Sequence, residues 1–193
     1  MASAESGKAR IAAAARDLFV ANGFHQTAVA ELASAAKVSV GQVYRLFENK
    51  DDIILAIVRD QTAADVAVVD AIAADLEAGA FPPVAALEKL FAFSMAHGSE
   101  NLSFEILAEA HRNPRVAESL GGLCQHYRQA LRRFAQAINP ALSDAALDAA
   151  EEILLACVFG LGHRSHSRPR LSVEQTASRA ARMILISLED EPT

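Results

Sequence analysis

Apolar residues in this chain recur at helical spacing. Ile11, Ala14, Ala15, Leu18 and Phe19 follow i, i+3, i+4, i+7, i+8, which makes one stripe along a single helix face. Asn22-Gly23 ends that helix, because both residue types tolerate a left-handed cap. Thr27 is the expected N-cap of a short second helix reaching Ala35, with Val29, Leu32 and Ala33 on one face. Ala36-Lys37-Val38 interrupts the pattern. Ser39-Val40-Gly41-Gln42 then reads as an S-x-x-Q capping box that opens a third helix through Phe47. Asn49 caps a fourth helix, and Asp51 and Asp52 sit in its first turn, where the helix dipole favours carboxylates.

The fourth helix is predicted to run from Lys50 to about Ala78, ended by Gly79, with Phe81-Pro82-Pro83 as a breaker. A fifth is expected over about 83–97, ending near Gly98, and a sixth over about 100–112, ending at Asn113. Pro114 suits the first turn of a seventh, over about 114–138, with a kink expected at Gly121-Gly122. Ser143 caps an eighth helix to about His163, followed by a polar loop over 164–170. Ser172-Val173-Glu174-Gln175 is a second capping box and opens a ninth helix to about Leu188. No strand pattern, repeat or low-complexity tract interrupts this series. The expected fold is all-α, with about nine helices.

Composition changes that picture little. Hydrophobic residues make up 52% of the 193 and charged residues 22%, an ordinary globular balance. Cys124 and Cys157 form no CxxC pair and read as buried small hydrophobes. No secretion signal or membrane-length apolar run is seen, so a reduced, cytoplasmic protein is expected. Charge is more informative. The net formal charge is −6, yet residues 1–50 carry six basic residues (Lys8, Arg10, Arg16, Lys37, Arg45 and Lys50) against Glu5, Asp17, Glu31 and Glu48. That end is therefore +2 and the remainder −8. An acidic body with a basic end can still approach a polyanion by that end.

No GxSxG, P-loop or HExxH occurs. His163-x-x-His166 lies in a basic loop without a third ligand type, whereas a metal site needs three or four converging ligands. Neither an enzyme, a cofactor nor a metal is expected.

Two short helices joined by a three- or four-residue turn are the geometry of a helix-turn-helix. Thr27–Ala35, the turn and Ser39–Phe47 fit it. Val29, Leu32, Ala33, Val38, Val43, Leu46 and Phe47 should pack against Ile11, Ala15, Leu18 and Phe19, leaving Val40, Gln42, Tyr44 and Arg45 for exposure. Lys37 and His25 read more readily as solvated surface than as contacts, Lys37 being a weak candidate for contact.

The resemblance is specific at this point. Residues 10–15 (Arg-Ile-Ala-Ala-Ala-Ala), Leu18-Phe19, Gly23-Phe24, Thr27, Val29, Leu32-Ala33, Ala36, Val38-Ser39, Gly41, Tyr44, Phe47 and Lys50 together resemble the N-terminal domain of the tetracycline repressor family over about residues 8–55. The remainder is similar to that family only in length, helix count and general character. The resemblance implies a three-helix helix-turn-helix domain at 1–50 and a helical effector-binding and dimerisation domain at 51–193. It implies that Thr27, Tyr44 and Lys50 contact phosphates, a role that suits hydroxyls and a lysine. Val40, Gly41, Gln42 and Arg45 would read or flank bases, since Gln can pair with adenine and Arg with guanine. Gln42 has a competing role in its capping box.

The family likeness also places an effector cavity among Phe91, Met95, Phe104, Leu107, His111, Tyr127, Leu131 and Phe159, although ordinary core packing is the commoner account of such residues. His111 and Tyr127 are the polar candidates there. The eighth and ninth helices are the expected dimer interface, through Leu147, Leu154, Val158, Leu161, Ala177, Ala181 and Ile184, because a helix apolar on nearly every side is covered on two faces. The expectation is a homodimeric, ligand-responsive regulator, a repressor of palindromic operator DNA released by a small apolar or amphipathic effector. The alternative is a helical small-molecule binder without specific DNA binding, which Tyr44 and Lys50 weigh against.

Overall fold

The computed structural model describes residues 2–97 and 102–189, with residues 2–6 and 189 entering by their backbone alone. The elements are α1 (Ala2–Asn22), α2 (Val29–Ala35), α3 (Val40–Leu46), α4 (Lys50–Glu77), α5 (Pro83–His97), α6 (Leu102–Arg112), α7 (Pro114–Ile138), α8 (Asp144–Gly162), a 3-10 turn (Arg164–Ser167) and α9 (Val173–Glu189). The fold is all-α, as the periodicity predicts. The predicted fifth-helix end at Gly98 lies outside the described residues. Over their described residues the elements pack into two compact units. One comprises Met1–Thr62 with Glu100–Leu123, the other Ala63–Ser99 with Cys124–Thr193.

The first unit is built on the α1 stripe. Ile11, Ala15 and Phe19 are fully buried, and Leu32, Ala33, Val43 and Phe47 close over them from α2 and α3. Phe24 stacks edge-on against Phe19 at 5.1 Å between ring centroids, a favoured aromatic geometry. Ile53, Ile54 and Ile57 of α4 complete this core, together with Leu102 of α6 and Val116 of α7. The start of α4 is capped as expected. Asn49 Oδ1 accepts the Asp52 N–H at 3.0 Å, and Asp52 Oδ2 accepts the Glu48 N–H at 3.1 Å. Asp51 and Asp52 also hold the corner after α6, through Asn113 Nδ2 at 2.7 Å and Arg115 at 3.0 Å.

The second unit centres on α5, which packs on α8 and α9. Leu87, Leu90 and Phe91 meet Leu131 and Phe134 of α7, Leu147 and Leu154 of α8, and Ala181 and Leu188 of α9. Ser143 caps α8 by accepting the Ala146 N–H. The Ser172 box closes in both directions. Ser172 Oγ accepts from Gln175 N at 3.1 Å, and Gln175 Oε1 accepts from Ser172 N at 3.0 Å.

Two local expectations differ from what is found. Helix α7 itself is continuous across Gly121-Gly122. Cys124 is exposed on it rather than buried, and Cys157 is half-buried, its thiol pKa raised by burial. The polar loop after α8 contains the 3-10 turn, closed by Arg168 at φ 52°. Among the described residues, no helix is long and apolar enough to cross a membrane.

Candidate nucleic-acid interface

Helix α3 has two distinct sides. Val43 and the following Phe47 are buried, and Leu46 is half-buried. Val40, Gly41, Tyr44 and Arg45 face outward, with Tyr44 55% exposed. A phenol ring left this open on an otherwise packed unit is available to a partner. Gly41 has no packing role inside the chain, since a Cβ there would meet nothing within 4 Å. Ser39 caps the helix by accepting the Gln42 N–H at 3.1 Å. Among the described residues, the Gln42 amide does not return the bond to Ser39. Its Nε2 instead lies 3.4 Å from where a Cβ on Gly7 would stand. The capping box is thus half-formed, in contrast to the closed box at Ser172.

Thr27 and Lys50 lie elsewhere, Thr27 on the loop between α1 and α2 and Lys50 at the start of α4. Thr27 is buried, and its hydroxyl donates to Gly23 O at 2.9 Å, with Leu18 O at 3.3 Å. It does not cap α2. The N-cap is Ala28, whose N–H is accepted by Glu31 Oε2 at 2.9 Å, so a carboxylate one turn on takes over the end that a hydroxyl was expected to serve. Lys50 reaches back from α4 and donates to Phe24 O at 2.6 Å, Thr27 O at 3.1 Å and His25 O at 3.3 Å. Its Nζ also stands 4.6 Å from the Phe24 ring centroid. Burial lowers the Lys50 pKa, while Asp51 and Glu109 pull the other way.

Residues without any motif complete this loop. Glu105 of α6 accepts the Phe24 N–H at 3.0 Å. Glu109, almost fully buried, has Oε2 2.9 Å from His25 Nε2 and 3.6 Å from Arg112 Nε. Glu109 Oε2 and His25 Nε2 are close without an aligned hydrogen bond between them. No local sequence signal marks these glutamates, because Glu105 and Phe24 are 81 residues apart. His25, expected as plain surface, is part of this cluster.

The remaining predicted positions divide between the units. Phe91, Met95 and Leu131 are buried in the second unit, and Tyr127 is partly buried against them. Burial, with a smaller push from Asp65, raises the Tyr127 hydroxyl pKa well above its usual value. Phe104, Leu107 and His111 belong to α6 in the first unit and are exposed, as is Phe159 on α8. Of the predicted dimer residues, Leu147, Leu154, Ala177, Ala181 and Ile184 are taken up by the chain's own core, while Val158 and Leu161 are half-buried. Among the described residues, the large apolar side chains that α8 and α9 leave uncovered are Ile153, Phe159, Met183 and Ile186. Among the described residues, no group of three or more His, Cys, Asp or Glu side chains is placed to hold a metal ion.

Residues 11–57, spanning α1 to the first turns of α4, match the family of bacterial regulatory proteins described as the tetR family. The HTH-type transcriptional regulator UidR of Escherichia coli K12 is 31% identical over 118 residues, covering 61% of this chain. Over residues 11–57, then, the chain is similar to the tetR family. The aligned region spans 58% of UidR, less than two thirds of that relative's length. Salmonella enterica GusR superposes with a TM-score of 0.68 at 26% identity, over 93% of this chain and 95% of GusR. The transcriptional regulator FadR of Bacillus subtilis, solved in complex with stearoyl-CoA, has a TM-score of 0.69 over 92% of this chain and 97% of its own. At 14% identity that likeness is one of fold. The likeness of fold therefore covers residues of both units, whereas the match to the family lies within α1–α4.

Proposed function

We propose that this chain is a homodimeric transcriptional repressor that binds operator DNA through α3 and is released by a small apolar or amphipathic effector. The observation that carries the reading is the outward face of α3, with Val40, Gly41, Tyr44 and Arg45 exposed above a fully packed three-helix core. A major groove admits one helix, and the first turns of that helix reach base edges. The open space at Gly41 lets another surface approach the backbone closely. Arg45 can pair with guanine and Gln42 with adenine, while the Tyr44 hydroxyl suits a phosphate. Thr27 and Lys50 are assigned to holding the 23–27 loop, because their donors are engaged by its carbonyls and by Leu18 O. The domain division at residue 50 is retained as a functional one, with effector and dimer roles assigned to 51–193.

The effector assignment draws support from the aromatic and aliphatic groups around Tyr127 and from the amphipathic ligand of the FadR neighbour. Its effect is to favour the DNA-free arrangement of the dimer by binding that arrangement more tightly. Dimerisation supplies the second half-site, because one recognition helix reads only a short sequence. The uncovered residues of α8 and α9 are the surface for it. Met183, at 73% exposure, is the most open large apolar side chain among the described residues. Met183→Glu combined with Ile186→Glu should give a folded monomer by sedimentation, with DNA affinity reduced. A dimer of wild-type strength in that variant would reject these helices as the interface.

The test of the function is a gel-shift series with fragments of the source genome, including the DNA upstream of the protein's own coding sequence. Specific binding to a palindromic site is expected. Absence of specific binding at low salt to every fragment would favour a helical small-molecule binder instead. On a bound fragment, Gln42→Ala should relax preference at one base pair with little change in melting temperature. A lower melting temperature with unchanged preference would assign Gln42 to the helix end alone.

A further inference from the structure

We propose that Lys37, in the turn between α2 and α3, contacts a DNA phosphate. The inference rests on the DNA-binding reading above. Helix α2 ends in a Schellman motif. The Lys37 N–H donates to Ser34 O at 3.1 Å, and the Val38 N–H donates to Ala33 O at 2.9 Å. This geometry puts Lys37 in the left-handed region, at φ 56°. The position is one that glycine fills without strain and a residue with a Cβ does not.

The same chain supplies the comparison. Helix α4 ends with the same two bonds, Gly79 N to Leu76 O and Ala80 N to Asp75 O, each at 2.9 Å. There the left-handed residue is Gly79, at φ 74°. Helix α1 also ends on a glycine, Gly23, at φ 83°. At two of these three helix ends the strain is relieved by glycine, and at the helix-turn-helix turn it is retained. Among the described residues Arg168, which closes the 3-10 turn, is the other non-glycine residue at positive φ, and a residue kept in that region raises the question of what its side chain does.

The surroundings narrow the task to one outside the chain. Lys37 is exposed and forms no ion pair or side-chain hydrogen bond with any described residue. Lys50, at the start of α4, has its ammonium engaged by three carbonyls. Lys37 therefore offers an open ammonium two residues ahead of the Ser39 cap, beside the exposed face of α3. A flexible, strongly hydrated point charge at that place suits a phosphate oxygen rather than a base edge.

The test compares Lys37→Gly, Lys37→Gln and Lys37→Arg in the full chain, using a DNA fragment that the wild-type protein binds. Lys37→Gly relieves the strain and should raise the melting temperature by roughly 2–4 °C. It should nevertheless weaken binding, by up to roughly tenfold per protomer at 0.1 M salt, and make the log–log salt slope shallower by about 0.9 per protomer. Lys37→Gln keeps the strain and loses the charge, so it should show the same change in slope without the gain in melting temperature. Lys37→Arg should keep the wild-type slope. Wild-type affinity and slope in both the glycine and glutamine variants would overturn the proposal, as would a lower melting temperature for Lys37→Gln with the slope unchanged, which would assign the charge to the carboxyl end of α2. Failure of the wild-type protein itself to bind DNA would instead strike the functional reading on which this rests.

Discussion

Phe19→Ala is expected to destabilise the protein by about 3–5 kcal/mol. Phe19 is fully buried at the centre of the first unit, where the α1 stripe, α2 and α3 converge on it, and Phe24 packs on its ring edge. Removing the ring leaves a cavity that α1 cannot collapse into, because Ile11 and Ala15 fix the same helix face in the two preceding turns. Urea denaturation followed by circular dichroism should show the midpoint falling steeply, and specific DNA binding should fall with it. A loss under about 1 kcal/mol would mean that the α1 stripe is not the keystone of this unit.

Lys50→Met should have the second-largest effect on stability, about 2 kcal/mol or roughly 4–8 °C in melting temperature. Methionine keeps much of the length and apolar contact of the stem. It removes the donors that hold Phe24 O, His25 O and Thr27 O, and that loss leaves the 23–27 loop tied chiefly by Glu105 and by the Thr27 hydroxyl. DNA affinity should drop for all sequences alike, because α2 and α3 follow directly from this loop. A lysine that acted only on a phosphate would flatten the salt slope and leave the melting temperature unchanged.

These two residues illustrate what the sequence could and could not yield. The Phe19 stripe was legible because helical periodicity reports a buried face directly. Asn49, Ser143 and Ser172 were legible as caps because the bond spans only three residues. Thr27 was not, since its hydroxyl can turn back to Gly23 as readily as forward, and Glu31 was present to satisfy Ala28 instead. Lys50 matched the family pattern, but its three carbonyl partners depend on how the chain returns some 25 residues earlier. Glu105 and Glu109 had no signal at all, because α6 joins the first unit only through tertiary packing. On α8 and α9, periodicity gave apolar faces without saying which face the chain itself would cover. Leu147, Leu154 and Ala181 turned inward, and Ile153, Met183 and Ile186 were left out.

The most direct measurement of the central claim is the affinity of Arg45→Glu for a fragment that the wild-type chain binds, alongside its melting temperature. Arg45 is exposed at the end of the outward face of α3, so the fold should be indifferent to the change. Charge reversal against DNA should lower affinity by about 100-fold or more, combining a lost base contact with repulsion from the phosphates. The account predicts that loss with the melting temperature unchanged. Wild-type affinity in a folded Arg45→Glu protein would contradict it.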